Sequence, residues 1–232
     1  MAGAAGLGVR QGAGTSAQGG SLVLPAATSN GLAVASGPLL GPLTNSTVIV
    51  IARQAATIGG GGGAALYSER AAAGNDIYKL GITNGVQAAQ FTYRNDGGTL
   101  LQQNTGATTL HVPHFFAAVK NGTSHTTWLD TLKTTGTFGS ASTAFTDAGI
   151  VRSLGFDQGD TTANWNGFID LGAAWNRSLS APELLSLQAN PWQIFKAPAR
   201  RIWVRKPASG VTIKGNLVKA GIRSSGNYVG VR

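Results

Sequence analysis

Apolar and polar residues alternate along most of the chain, in short stretches that end at Gly, Asn, Asp or Thr. Alternation with a period of two places successive side chains on opposite faces of a strand, so it predicts antiparallel strands with one buried face. The continuous apolar stretch at residues 47–53 predicts a strand that is buried on both faces. The other predicted strands cover residues 64–70, 76–82, 86–94, 107–111, 114–120, 125–130, 150–155 and 167–175.

The last of these stretches shows the alternation most clearly. Counting every second residue predicts one core-facing set: Ile169, Leu171, Ala173 and Trp175. The intervening residues, which include Asp170, are predicted to face solvent or the rim of the sheet.

One short helix is predicted directly after this strand. Ser180 is a favourable N-cap, and Glu183 follows three residues later, which is the pattern of a capping box. Leu179 and Leu184 occupy the positions of a hydrophobic staple across the first turn. Pro191 ends the helix, because the residue before a proline avoids the helical conformation.

The composition agrees with an all-β chain and excludes several classes of protein. The 232 residues include 34 Gly and no Cys, and 12% are charged. Few charges and many glycines exclude a coiled coil, and the lack of cysteine excludes a disulfide scaffold, a cysteine-ligated zinc site and a thiol nucleophile. No apolar run is long enough for a membrane span, and the first residues do not read as a signal peptide, so we expect a soluble chain made in a reducing cytoplasm.

Charge divides the chain into a neutral body and a basic end. The sequence has 18 Lys and Arg against 9 Asp and Glu, a net charge of +9. All the acidic residues precede position 196, where they balance the bases, so the whole excess lies in residues 196–232. We therefore predict a Gly-rich N-terminal arm at residues 1–20, one domain at residues 21–204 and a basic C-terminal arm at residues 205–232.

The second half of the domain resembles a known family. The stretches that carry the resemblance are residues 114–122, 127–130 and 151–155, the run Trp165-Asn166-Gly167-Phe168-Ile169-Asp170, and the run from Trp175 through Ser180 to Leu184. Together they resemble the laminin-G-like branch of the concanavalin-A-like jelly rolls, and residues 190–204 are similar to the ends of such domains in tailed-bacteriophage and prophage proteins. The resemblance implies an all-β, two-sheet antiparallel jelly-roll sandwich with one short helix and extended N- and C-terminal arms.

The residues needed for catalysis are missing from the sequence. Some jelly rolls of this class are glucanases, and glycoside hydrolysis uses two carboxyl groups that flank the bond. This chain has two glutamates, Glu69 and Glu183, and the second is already explained as a capping residue. Neither a Gly-x-Ser-x-Gly motif nor a phosphate-binding loop occurs. We therefore predict a protein that is not an enzyme and needs no cofactor.

Two kinds of small-ligand site stay open. Laminin-G-like domains often bind calcium at the rim of the sandwich, and the resemblance implies Asp157 and Asp160 as candidate ligands; the alternative is a solvated turn rich in Asp and Gly. Tryptophans such as Trp165 and Trp175 could stack on sugars, although Trp175 is predicted to face the core.

The basic end predicts a binding partner with an acidic surface, through charge pairing and strand addition. Its candidate residues are Lys196, Arg200, Arg201, Trp203, Arg205, Lys206, Lys214, Lys219, Arg223 and Arg232. Nucleic acid is disfavoured as the partner, because aromatic residues are few and no nucleic-acid-binding motif occurs; a solubilising tail without a partner is the other alternative.

With the phage resemblance, these features predict a virion structural protein that is assembled in the bacterial cytoplasm. We expect a capsid decoration or cement protein, or a head fibre, that binds the major capsid protein or other virion subunits and forms a homo-oligomer. The alternative is a carbohydrate-binding adhesin module of a tail fibre or baseplate, with a surface glycan as its ligand.

Overall fold

The structure is a computed structural model, and it describes residues 16–18, 21–24, 32–34, 40–58, 63–71, 77–94, 100–137, 150–157 and 164–195. The chain divides into two units, Met1–Pro191 and Trp192–Arg232. The described strands all belong to the first unit: β1 (Ser16–Gln18), β2 (Ser21–Leu24), β3 (Leu32–Val34), β4 (Asn45–Gln54), β5 (Ala64–Ala71), β6 (Ile77–Ile82), β7 (Ala88–Arg94), β8 (Leu101–Ala107), β9 (Pro113–Asn121), β10 (Ser124–Leu129), β11 (Leu132–Thr137), β12 (Ile150–Leu154) and β13 (Gly167–Trp175). One α-helix, α1 (Ala181–Ala189), and a 3₁₀ turn (Pro191–Phe195) follow them.

The strands form two antiparallel sheets that pack face to face. The order is β1-β2-β13-β4-β9-β10-β11 in the seven-stranded sheet and β3-β12-β5-β6-β7-β8 in the six-stranded sheet. Strands that pair are often far apart in sequence, as β13 and β4 are, so long crossover connections run between the two sheets. The predicted all-β, two-sheet antiparallel sandwich with one short helix is therefore confirmed.

Large aromatic side chains fill the space between the sheets. Tyr78 lies at the centre of the cluster, and its ring packs edge-on against Phe91 and Tyr93. From the opposite sheet, Phe116 packs against Trp165, which is fully buried. Trp165 is therefore a core residue, and it is inaccessible to a sugar.

A bulge in β13 divides the face that the period-two count predicts for this strand. Ile169 pairs with Ala52, but the next paired residue is Leu171, opposite Ile51. One extra residue shifts all the later side chains to the other face. Ile169 belongs to the main core, whereas Trp175 pairs with Thr47 on the outward face of the seven-stranded sheet. The prediction that Trp175 faces the core was therefore wrong.

Helix α1 covers part of this outward face. Leu184 and Leu187 are its buried residues. The Thr47 hydroxyl anchors the approach to the helix, because it donates to the Arg177 carbonyl and accepts the Leu179 amide, both at 2.9 Å. The helix begins after Ser180 as predicted.

Two other local predictions differ from the structure. Residues 107–111 were predicted as a strand, but β8 ends at Ala107 and a turn follows, in which His111 has a φ of 64°. Strand β11 was not predicted, since its alternate positions are mostly Thr and Lys and give little apolar contrast.

Most of the two predicted terminal arms lies outside the described residues. Ser16–Gln18, inside the predicted N-terminal arm, forms β1 and pairs with β2. The rest of residues 1–20 and the whole basic arm at residues 205–232 lie outside the described residues. Within the described part, no helix has the length and apolar character needed to cross a bilayer.

Candidate functional site

The outward face of the six-stranded sheet carries polar side chains where the other sheet carries α1. Five directly opposed residues cross this face from β12 to β8, and we call them the polar row: Ser153, Ser68, Lys79, Thr92 and Gln102. Four of them are shielded from solvent and Gln102 is exposed. A line of shielded polar groups must satisfy its hydrogen bonds internally or with a ligand.

The β12 end of the polar row is fixed by hydroxyl groups. The oxygens of Ser68 and Ser153 lie 2.7 Å apart, and both hydroxyls contact the backbone carbonyl of Phe156, at 3.0 and 2.8 Å. These contacts hold the segment after β12 against β5, and so they position the residue that follows, Asp157.

Asp157 joins two cations on this face, and we call the three residues the Asp157 cluster. Its Oδ2 lies 3.1 Å from Nη1 of Arg70 on β5 and 3.5 Å from Nζ of Lys79 on β6. The Asp157 side chain is fully buried, whereas those of Arg70 and Lys79 are 17% and 11% exposed. The cations therefore keep partial access to solvent above a buried carboxylate.

One donor of the cluster is unused. The Nε–H of Arg70 is buried and has no hydrogen-bond acceptor among the described residues. Burial keeps a ligand from this nitrogen, so a bound carboxylate would accept from the exposed parts of the Arg70 and Lys79 side chains instead.

Side-chain amides continue the polar face toward the β8 edge. Gln90 Nε2 donates to Asn104 Oδ1 at 2.9 Å, and the Thr92 hydroxyl donates to Gln90 Oε1 at 3.1 Å. Asn104 and Gln102 are exposed. The outward positions of β5 to β8 and β12 hold no aromatic side chain, so hydrogen bonds and charge, rather than ring stacking, would bind a ligand on these strands.

A second group of ionisable residues lies in the interior and connects the two sheets. The Glu69 carboxylate accepts the backbone amides of Leu40 and Gly41, and Lys120 Nζ donates to the Gly41 carbonyl at 2.8 Å. Burial raises the pKa of Glu69 and lowers that of Lys120 to about 8. Both residues are almost wholly inaccessible to solvent. This interior network therefore holds the segment before β4 and offers no surface to a ligand.

A shallow recess of about 130 Å³ lies on the other outward face, beside α1. The lining residues include Trp128, Lys133, Leu179 and Leu184. Trp128 is 5% exposed, and Lys133 Nζ lies 5.6 Å from the centre of its ring. The indole is thus already covered, and the recess is too shallow to enclose a sugar ring.

The structure places few of the residues singled out from the sequence. Asp157 lies in the cluster described above, while Asp160, the other candidate calcium ligand, lies outside the described residues, so calcium binding stays a prediction. Among the described residues, no group of three His, Asp or Glu could hold a metal ion. All the candidate partner-binding residues from Lys196 to Arg232 also lie outside the described part.

Sequence reasoning missed the residues that form the polar face. Arg70, Lys79 and Gln90 each lie in a different predicted strand. The period of two could have shown, for each strand separately, that this residue faces away from the core. Their arrangement into one line depends on which strands pair, and the sequence pattern does not contain that information.

Solved structures of other proteins are similar in fold to this chain. No protein-family model matches the chain, and no curated protein matches it. The CBM40 domain of the Ruminococcus gnavus IT-sialidase, solved bound to α2,3-sialyllactose, is similar to this chain with a TM-score of 0.60 and 18% identity, over 71% of this chain and 95% of that one.

Two further solved structures show the same similarity. Domain 4 of the GH43 arabinanase AbnA from Geobacillus stearothermophilus, in complex with arabinotriose, has a TM-score of 0.55 at 14% identity, over 72% of this chain and 76% of that one. A leech intramolecular trans-sialidase has a TM-score of 0.57 at 15% identity, over 72% of this chain and 27% of that one. At these identities the likeness establishes the fold alone, a two-sheet antiparallel jelly-roll sandwich.

Proposed function

We propose that the chain is a carbohydrate-binding module whose glycan docks on the outward face of the six-stranded sheet, against Arg70, Lys79 and the exposed amides of Gln102 and Asn104. The observation that carries this proposal is the outward face of the six-stranded sheet, where Arg70 and Lys79 stand beside hydroxyl and amide side chains. The solved structures of similar fold support it, since two of them were determined with sialyllactose and arabinotriose. This is the alternative that the sequence left open.

The chemistry of the face favours an acidic sugar over a neutral one. Sugar hydroxyls both donate and accept, which suits amide side chains such as those of Gln102 and Asn104 at the exposed edge. A carboxylate on the sugar would accept from Arg70, and a charge-assisted bond of this kind is about twice as strong as a neutral one. Sialyllactose, the ligand of a similar module, carries such a carboxylate.

We further propose that the module binds without catalysis. Of the two glutamates in the sequence, Glu69 is buried in the interior network. Glu183 pairs with Arg177 at 2.7 Å and accepts the Ser180 amide at the start of α1. Neither lies on the polar face, so no pair of glutamates flanks a bound glycosidic bond there.

Titration calorimetry of the full chain with α2,3-sialyllactose and with lactose tests the proposal. We expect measurable binding of sialyllactose, weaker binding of lactose, and at least about tenfold weaker sialyllactose binding in Arg70→Ala, which removes a charge-assisted contact. Lys133→Ala removes an exposed cation from the opposite sheet and serves as the matched control. Failure of the wild-type chain to bind any member of a panel of acidic and neutral glycans would refute the proposal.

A virion role is the second candidate, and the distribution of charge favours it. Nine cations without one acid fill residues 196–232. Just before them, Trp192 and Phe195 are exposed, with ring centres 6.1 Å apart. Exposed aromatics beside arginines are typical of protein-binding surfaces. We propose that this end docks on an acidic capsid surface, as a decoration or cement protein would, and that the docked protein is a homo-oligomer.

Co-sedimentation with purified phage particles tests the second candidate. A chain that ends at residue 204 should no longer associate with particles, and the association of the full chain should weaken steeply with added salt. Unchanged association of the shortened chain would reject docking through the basic arm. The two proposals are compatible, since an adhesin of a tail fibre or baseplate would need both a glycan site and an attachment to the virion.

A further inference from the structure

Asp157 differs from an ordinary surface acid in its burial and in its two partners. Its side chain has no exposed surface, although it lies on the outward side of the sheet. Arg70 and Lys79, which it joins, come from adjacent strands. Both are long side chains with many rotamers, and fixing each in one geometry costs conformational entropy before any ligand binds.

We infer that Asp157 is a positioning residue of the proposed glycan site, which holds Arg70 and Lys79 in the geometry that receives the carboxylate of an acidic sugar. This inference rests on the proposed function. Because the protein has already ordered these two side chains, the glycan does not have to order them when it binds. Preorganisation of this kind raises affinity without any new contact with the ligand.

The hydrogen bonds of Arg70 agree with this role. Nη1 is directed toward Asp157, so the buried carboxylate fixes the orientation of the guanidinium group. A guanidinium bound on one side by a buried carboxylate still has other N–H donors with which it can bind a second carboxylate. The anchor and the ligand would therefore use different parts of the same planar group.

Because of the charge of the site, a substitution at Asp157 can be judged by whether it strengthens or weakens the binding of an anionic glycan. Two cations and one anion leave the cluster with a single net positive charge. Arg94 lies on the same face two strands from Arg70, with its backbone roughly 10 Å away, and its charge is the same in the wild type and in the variant described next. Replacing Asp157 by Asn keeps its shape and raises the charge of the cluster. Electrostatics alone then predicts tighter binding of an anion, whereas positioning predicts weaker binding.

Calorimetry on Asp157→Asn at constant ionic strength, at a temperature where the variant is folded, separates these cases. We expect sialyllactose to bind about tenfold more weakly, with partial recovery in Asp157→Glu. The matched control is Asp170→Asn, which removes a carboxylate 3.5 Å from Arg53 on the other sheet and should leave binding unchanged. Unchanged or tighter binding in Asp157→Asn, with the wild type binding normally, overturns the inference while the proposed function stands.

A second measurement needs no glycan. NMR relaxation of the Arg70 Nε–H in the free protein reports directly whether that side chain is ordered. We expect it to be rigid in the wild type and mobile on the nanosecond scale in Asp157→Asn, measured at a temperature where the variant is folded. An equally rigid Arg70 in both proteins would overturn the inference whatever the glycan experiments give. Absence of glycan binding by the wild type would refute the proposed function instead.

Discussion

Lys120 provides the sharpest test of how the interior network affects stability. Its side chain is 1% exposed, and Nζ donates to the Gly41 carbonyl at 2.8 Å while lying 4.3 Å from the centre of the Tyr93 ring. Burial disfavours the charged form and lowers the pKa from 10.5 to about 8. The folded protein therefore releases this proton at a lower pH than the unfolded chain does.

The sign and size of the pH dependence of the free energy of unfolding follow from the linkage between proton binding and folding. Between the folded and unfolded pKa values the unfolded chain binds more protons, so the free energy of unfolding rises with pH. Below pH 8 the cost of burying the charge is fully present, about 3 kcal/mol from the shift of the pKa. Integrating between pH 7 and pH 9 gives a rise of roughly 1 kcal/mol, with a slope near pH 9 of roughly 1 kcal/mol per pH unit.

The assay is urea unfolding at pH 7, 8 and 9 for the wild type and for Lys120→Met. Methionine keeps an unbranched side chain and removes the titration, so we expect its unfolding free energy to be nearly flat over this range. The Gly41 carbonyl retains a contact with the Tyr93 hydroxyl, at 3.3 Å, and is not left without a donor. Because other titrating groups are common to both proteins, the difference between the two slopes isolates Lys120. Equal slopes would refute the reasoning.

Three other changes have expected outcomes. Glu69→Gln replaces one of the oxygens that accept the Leu40 and Gly41 amides by an NH₂ donor, and we expect it to lower the free energy of unfolding by about 1–3 kcal/mol in urea; a loss within experimental error would contradict this. The hydrogen bond from Arg177 is the main cause that lowers the pKa of Glu183 to about 2, so the contribution of Glu183 to the free energy of unfolding is present above pH 4.5 and is lost as the pH falls toward 2. Glu183→Ala should lower the free energy of unfolding by about 1 kcal/mol at pH 7 and make it less dependent on pH in acid. Gly167 has a φ of 152°, and an added Cβ would lie 2.0 Å from a backbone carbonyl of β4, so Gly167→Ala should lower the melting temperature more than Gly122→Ala, where the φ is 60° and the space is open.

The proposed site and the interior network lie on opposite sides of one strand. In β5, Arg70 faces outward toward the proposed glycan site, while Glu69 faces inward. Changes in the two groups can therefore be measured separately, one by ligand binding and the other by unfolding, which keeps tests of stability apart from tests of function.

The local features of the fold could be predicted from the sequence alone. Period-two alternation and turn residues predicted most of the strands between residues 47 and 175, because the direction of a side chain along a strand depends only on its position. The capping pattern at Ser180 and Glu183 predicted the start of α1, since a helix end is decided within one turn. The lack of cysteine and the pattern of the strands together predicted an antiparallel sandwich without disulfides.

The candidate site depended on the tertiary structure. The polar row joins Ser68 to Ser153, 85 residues away, and it exists only because β5 lies between β12 and β6. The bulge after Ile169, which moves Trp175 to the other face, also depends on how β13 pairs with β4. Strand order and register are determined by burial across the whole sandwich, where distant segments compete for the same partners. The strands, the helix and the fold class therefore follow from the local pattern of residues, whereas the meeting of particular polar side chains depends on strand order and register.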